Sequence, residues 1–336
     1  MICRRNLYGT KCSNKIKVDI SRNLNGYSFP HKLSSQEAEI IIQKVKNIFS
    51  DSKYDFTLHK INELSQSELD LLEERELMDD EFLINANGAL LFNSDKTICI
   101  LINGLDHIKI QVIGYNDIKG LYKIANEIDD TLESHLEYAF DKDLGYLTTC
   151  PVNVGTGLKV TNTVHIPSIE KLKQVDDYYK IAHKIGVNFK GVYGKTKSIL
   201  GSLYKISNTI MIGRSEENII QSVESISNDL SKREYESREI LKNVHKIDLE
   251  DEIFRSLAIL SSARVITNSE LMKCLSNVKL GIEMGYIDDV NLEKVINFMT
   301  GKQPYLKIIS AYDEEDKIER ASYIRREFSL ANRNNK

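Results

Sequence analysis

Lysines set beside glycine turns are the first feature of this chain that could do chemistry. "CPVNVGTGLK" (Cys150 to Lys159), "KGVYGK" (Lys190 to Lys195) and "RNLNGYSFP" (Arg22 to Pro30) each join turn residues to a basic side chain. Loops of that make-up bring backbone N–H groups and cations to a phosphate. None has the G-x-x-x-x-G-K-[ST] or G-x-G-x-x-G spacing that specifies a nucleotide loop, and a glycine-basic loop is more often a plain turn beside a solvated lysine. Cys150 opens the first of them. Inward-pointing lysines at 159 and 190 would favour its thiolate, whereas an apolar setting would make it a small core residue. Asp106 and His107, inside "ILINGLDHIKIQ" (Ile100 to Gln111), read as anchors of a turn beside a strand. His165, on an apolar strand, reads as a satisfied core histidine.

The elements that must position these residues are legible from periodicity. "SSQEAEIIIQKVKNIF" carries Ser34 and Glu37 at capping-box spacing and Ile41, Val45 and Ile48 on one face, which predicts a helix. Ser65 and Glu68 repeat the signal. "GALLFNSDKTICILI" predicts two strands around the turn Asn93 to Lys96, and "HIKIQVIGY", "LKVTNTVHIP" and "YKISNTIMIG" are further β-rich runs. Helical stretches are expected over Ile118 to Tyr138, Ser168 to Ile185 and Ser215 to about Leu241. From Leu249 onward everything reads as helix: Ile253, Leu257 and Leu260 form one stripe, and Thr267 with Glu270 opens another helix carrying Leu271, Leu275 and Val278. The expected architecture is α+β, an antiparallel sheet flanked by helices, followed by an all-helical C-terminal domain. The joint falls near residue 245, giving domains 1–245 and 246–336. With only four prolines and no low-complexity linker, the two parts are expected to pack together.

Bulk properties narrow the partners. The chain has 336 residues, 41% hydrophobic and 28% charged, with a net charge of −4. Such a balance drives it onto neither nucleic acid nor membrane. Five scattered cysteines without a CxxC pair indicate neither a zinc site nor a disulfide framework. No apolar run is long enough to span a bilayer, and the basic N-terminus lacks the apolar stretch of a secretory signal. A cytoplasmic location is expected.

Taken together and in order, "RNLNGYSFP", "NGLDHIKIQ", "GYLTTCPVNVGTGLK", "KGVYGK", "GSLYKISNTIMIGRSEENII" and "VKLGIEMGYI" resemble the guanidino-kinase superfamily, most closely its bacterial protein arginine kinase branch. The resemblance runs from about Lys15 to Phe328. It implies the guanidino-kinase catalytic fold and transfer of the γ-phosphoryl group of ATP, with Mg²⁺, to arginine side chains of proteins in bacterial stress response and protein quality control. That transfer needs cations around the phosphates, carboxylates gripping the guanidinium and in-line positioning. Protein substrates or stress-response partner proteins are the implied partners, with a homodimer as one expected assembly.

Residue by residue, the resemblance places a phosphate-binding S-R-I-R motif on Ile16-Lys17-Val18-Asp19 and N-E-E-D-H-L-R on Asn103 to Lys109, where Gly104 and Leu105 replace both glutamates. R-A-S falls on Lys159-Val160-Thr161, and R-G-x-x-G-E on Lys190 to Lys195, its acid reversed to Lys195. A histidine near the nucleotide aligns with Glu76. The implied cofactor-binding set is therefore Lys17, Lys109, Lys159, Lys190 and Lys195, with Cys150 intact in the reactive-cysteine position, as a catalytic or vestigial residue; no metal ligand is assigned. Near the C-terminus, Arg320, Ala321, Ile324 and Arg325 match a phosphoarginine-sensing motif in which Asp316 and Lys317 have exchanged charges. Lysine keeps the charge of arginine without its bidentate fork. The lost acids predict the alternative function: a catalytically inert relative acting as a partner- or anion-binding module. Asp106 and Glu76 are the nearest acids by sequence that could replace the missing pair.

Overall fold

The structure is a computed structural model describing residues 12–50, 52–74, 76–78, 87–115, 117–193, 199–300 and 314–329. Its strands are β1 (Ser13–Arg22), β2 (Thr57–Lys60), β3 (Ala89–Phe92), β4 (Ile98–Ile102), β5 (Ile108–Gly114), β6 (Phe140–Asp141), β7 (Gly145–Tyr146), β8 (Leu158–His165), β9 (Val187–Gly191) and β10 (Leu203–Asn208). All but β6 and β7, which form a separate two-stranded sheet, join one eight-stranded sheet in the order β2-β3-β4-β5-β1-β8-β10-β9. Every neighbouring pair in it is antiparallel. The helices are α1 (Ser35–Ile48), α2 (Gln66–Glu74), α3 (Ile118–Glu133), α4 (Pro167–Lys171), α5 (Val175–Lys184), α6 (Glu216–Val244), α7 (Lys246–Ser262), α8 (Asn268–Glu283), α9 (Leu292–Met299) and α10 (Glu314–Phe328). This is the expected α+β sheet flanked by helices with a helical C-terminal region. No helix among the described residues is long and apolar enough to cross a membrane.

Alternation along β1 decides what each sheet face does. Ile16, Val18 and Ile20 are buried against Ile41, Ile42 and Val45 of α1, Ala125, Ile128 and Leu132 of α3, and Ile219 and Val223 of α6, in one large core. Lys17, Asp19 and Ser21 point the other way, because successive side chains of a strand lie on opposite faces. That second face is covered in two places. Over β3, β4 and β5, Leu90, Cys99, Leu101 and Ile113 pack with Leu72, Leu77 and Met78 at and just after α2. At the other end Leu203 of β10 joins the core of α7 to α10, built on Ile253, Leu271, Leu275, Val278 and Phe298. Between these caps lies a polar strip.

The helix starts follow the sequence signals. Ser34 and Glu37 form a reciprocal capping box, Asp117 caps α3, Ser215 caps α6 and Thr267 accepts from Glu270 N. Three expected elements differ, the first being the helix from Ile118, which stops at Glu133 instead of reaching Tyr138. The single helix over 168–185 is broken into α4 and α5, because Lys173 takes a left-handed φ of 57°. Gln174 N then bonds Ile169 O and Lys173 N bonds Glu170 O, a Schellman ending that usually announces itself with glycine. The β-rich run 204–213 is a strand only to Asn208, after which Thr209 N turns to Gly186 O.

Candidate anion-binding site

Register brings lysines from five separated segments onto the polar strip. Lys17 stands opposite Ile113 of β5 and Thr161 of β8. Lys109 of β5 stands opposite Ser21, and Lys159 of β8 opposite Asp19. Lys190 of β9 pairs with Lys205 of β10, whose other neighbour, Thr163, faces Lys15. Residues paired across strands share a face, so Lys17, Lys109, Lys159 and Lys190 occupy one surface together with Lys15 and Lys205. Strands about 4.8 Å apart make the row from β5 to β9 roughly 19 Å wide. Lys195 lies outside the described residues.

Glu76 enters this row from the segment after α2. Its Oε2 lies 3.2 Å from Lys15 Nζ, its Oε1 accepts from Lys205 Nζ, and its main-chain oxygen accepts from Lys17 Nζ at 3.3 Å. Burial raises the Glu76 carboxyl, but Lys15, Lys205 and Lys17 outweigh it and hold the group well below the usual carboxylate range. Burial also lowers the Lys15 ammonium, with Glu76 opposing. Toward β5, Asp19 Oδ2 lies 3.5 Å from Lys17 Nζ. Asp19 is 2% exposed, and its Oδ1 has no hydrogen-bond partner; neither amide atom of Gln111, which stands opposite it, has one either. Burial pushes the neighbouring Cys99 thiol up, against the opposing pull of Lys109 and Lys17. A buried polar group left unpaired in a native fold calls for an explanation, and a ligand is one.

One end of the strip is closed by the 145–158 loop. Asn23 Nδ2 and Thr149 N both donate to Asp106 Oδ1 at 2.7 Å, which seats the loop on the 103–107 turn and leaves Cys150, half-buried, one residue away. His107 Nδ1 accepts from Leu24 N at 3.1 Å, so its Nε2 carries the proton toward Ser28 O at 3.0 Å; burial lowers this imidazole. Asp106 and His107 are thus turn anchors. The glycines of "VGTG" are required by close approach. A Cβ on Gly155, at φ 120°, would sit 2.8 Å from the Ile212 backbone, and one on Gly157, at φ 64°, 2.5 Å from Ser21 O.

Gly104 and Leu105 occupy the turn itself, where Gly104 N bonds Asp106 O. Neither substitute acid reaches it as an unengaged carboxylate: Asp106 holds the loop and Glu76 holds lysines. Elsewhere, His165 is fully buried and Nε2 meets Ser276 Oγ at 2.8 Å, but Nδ1 has no partner, so the satisfied-core reading holds for one nitrogen. Arg320 Nη1 donates to Ile266 O and Arg325 Nη1 to Ala263 O, which ties α10 to the α7–α8 connection. Sequence reasoning missed Lys15, Lys205 and Gln111. The signal for the first was its two-residue spacing from Lys17; Lys205 and Gln111 needed the strand register.

Comparison with known proteins agrees with this fold. The family model for the ATP:guanido phosphotransferase C-terminal catalytic domain matches residues 38–237, and that for the protein-arginine kinase McsB C-terminal domain matches 246–336. A protein-arginine kinase of Clostridium kluyveri is 35% identical over 334 residues, covering 96% of both chains. The Clostridium novyi protein of the same name is 38% identical over 92% of each chain, and that of Bacillus subtilis 32% identical over 94% of this chain and 89% of its own. Among solved structures, lombricine kinase superposes with a TM-score of 0.57 at 19% identity, covering 66% of each chain. The duplicated taurocyamine kinase of Schistosoma mansoni with bound transition-state analogue components gives 0.63 at 18% identity, over 86% of this chain and 49% of that one. The chain belongs to the protein-arginine kinase branch of the ATP:guanido phosphotransferases, the family whose chemistry is ATP-dependent phosphoryl transfer.

Proposed function

We propose that the lysine strip binds the polyphosphate chain of ATP and that this chain does not itself transfer phosphate to arginine. The observation that carries the reading is the pairing of lysines gathered on one face with an acceptor turn that holds Gly104 and Leu105 while Asp106 is spent on Asn23 and Thr149. Lysines attract phosphate as point charges but cannot grip it bidentately, so binding is weak and falls in the millimolar range of ligand. A guanidinium, cationic before reaction, is repelled by the same row, and neither Asp106 nor Glu76 offers it an unengaged carboxylate to hold it in line. Mg²⁺ enters with the nucleotide. No group of three or more metal-ligating side chains occurs among the described residues, and this ion ordinarily keeps its waters and the substrate's phosphates as ligands.

In this reading residues 1–245 form the kinase-type domain and 246–336 the helical one, the break being His245, where helical geometry lapses between α6 and α7. The setting is the cytoplasm, and the partners are proteins, as for the arginine kinases it resembles. A half-buried Cys150 beside the anchored Thr149 favours a second reading, residual transfer to protein arginines. One experiment separates the two. Purified protein is incubated with ATP, Mg²⁺ and an arginine-rich protein, and phosphoarginine is sought by mass spectrometry, with ATP binding measured by calorimetry. The expected result is binding that Lys17→Ala with Lys159→Ala abolishes, and no phosphoarginine. Phosphoarginine formation that Cys150→Ala abolishes would overturn the inert reading.

A further inference from the structure

The strip carries an anion of its own. Glu76 presents two carboxylate oxygens to Lys15 and Lys205 and its main-chain oxygen to Lys17, three cations from two strands separated by β8. It is held there from both sides. Glu76 N bonds Glu73 O at 2.8 Å, Leu77 N bonds Leu72 O at 2.9 Å, and Leu77 and Met78 are buried in the cap over β3 to β5. The backbone at Glu76 has φ 58°, a left-handed conformation that costs energy for any residue bearing a Cβ. A strained residue fixed in place so that its carboxylate meets two lysines and its main-chain oxygen a third needs a reason beyond chain reversal, which glycine would accomplish at lower cost.

We propose that Glu76 is a built-in competitor for phosphate: its carboxylate holds Lys15 and Lys205, and a polyphosphate ligand on the strip must contend with it for them. This deepens the nucleotide-binding reading and rests on it. A carboxylate and a phosphate oxygen draw on the same ammonium donors and repel each other, so a lysine held by Glu76 binds phosphate less well. Asp19 adds a second negative charge midway, beside Lys17. An anion on this surface therefore meets cations of which Lys15, Lys17 and Lys205 already lie beside carboxylates.

Two variants and two probes test this. Glu76→Gly removes the carboxylate at a φ that glycine adopts freely, so the fold is retained; Glu76→Gln keeps the side-chain bulk and removes only the charge. ATP and inorganic tripolyphosphate are titrated calorimetrically into the full-length wild type, both variants, each variant with Lys205→Met, and Lys159→Ala. The expected result is binding about tenfold tighter in both Glu76 variants for both probes, the scale set by withdrawing one nearby charge, with the gain lost on adding Lys205→Met. Unchanged or weaker binding in the Glu76 variants, with wild-type binding still dependent on Lys159, overturns the competitor and leaves the nucleotide reading standing. Binding by the variants but not by the wild type supports the competitor and overturns that reading for the native chain. A gain that survives Lys205→Met, or no binding by any variant, overturns the competitor.

Discussion

Glu76 and Glu234 are both carboxylates surrounded by positive groups, yet their settings differ in kind. Glu234 of α6 is fully buried. It accepts from Ser168 N and Ile169 N at the start of α4 at 3.0–3.1 Å and from Arg238 Nε at 3.0 Å. Arg238 Nη2 continues to Glu283 at 2.8 Å, and Glu283 meets Lys279 at 2.5 Å. That network binds α6 to α8 across the two cores and gives its carboxylates partners with good geometry, two of them backbone donors. Glu76, a quarter exposed, is met only by flexible lysine side chains, in a strip where Asp19 Oδ1 and the Gln111 amide go unpaired. Closed networks that recruit backbone N–H groups serve architecture, because a buried charge is tolerable only when its geometry is complete. Open rows of lysine with unmet acceptors and donors are surfaces arranged for something else to complete.

The largest effect should come from breaking the closed network. Glu234→Ala leaves two amide N–H groups buried and unmatched and strips Arg238 of one of its two carboxylates, and removing one partner of a buried pair costs about 3–5 kcal/mol. Denaturant unfolding should record that loss. Glu76→Gly, with its site open to water and its backbone relieved, should cost no more than about 1–2 kcal/mol in the same assay. Equal losses would erase the distinction between architecture and binding surface.

Acid should sharpen it. Folded Glu76 lies below the usual carboxylate range, held there by the lysines against burial. Its contribution is fully present above an unfolded value of about 4.3, and it disappears as pH falls through that value toward the depressed one, because the unfolded chain takes up the proton first. Burial raises Glu234 instead, against Arg238 and the backbone donors. Its proton-linked contribution is present below the unfolded value and lost as pH rises through the folded one. Between about pH 5 and pH 3 the stability gap between wild type and Glu76→Gln should therefore narrow, while the gap to Glu234→Ala should not. Parallel narrowing of both gaps would show that the two carboxylates are not in opposite regimes.

The sequence carried the scaffold better than the strip. Capping at Ser34, Ser215 and Thr267 and the apolar stripes of α7 and α8 are local signals, and the helices they announce are present. β1 was harder. Lys15, Lys17, Asp19 and Arg22 give it a polar look, although it is a central strand, since only the register with β5 and β8 reveals that Lys15, Lys17 and Asp19 share a face, whereas Arg22 lies on the other and pairs with Asp129. Lys17, Lys109, Lys159 and Lys190 could be paired with the family's arginines position by position. Lys205 and Gln111 could not, because their place beside Glu76 and Asp19 exists only across strands. Lys173 misled for a local reason: nothing in a lysine codon announces a left-handed backbone.

That residue supplies the smallest test, and it bears on the closed network directly. Glu234 holds the first turn of α4, and Lys173, exposed and at φ 57°, ends it. Lys173→Gly removes the Cβ penalty of the left-handed position without sacrificing a buried contact, a gain of about 0.5–1 kcal/mol or roughly 1–2 °C in Tm. In the wild type the gain should be visible by calorimetric melting. In the Glu234→Ala background α4 has lost the carboxylate that seats it, and an ending that no longer belongs to a docked helix has nothing to stabilise. The gain should then shrink toward zero, a coupling between positions that share one five-residue helix. Full additivity would mean that α4 stays docked through Ile169 and its neighbours alone, and that the buried network secures α6 to α8 without governing α4.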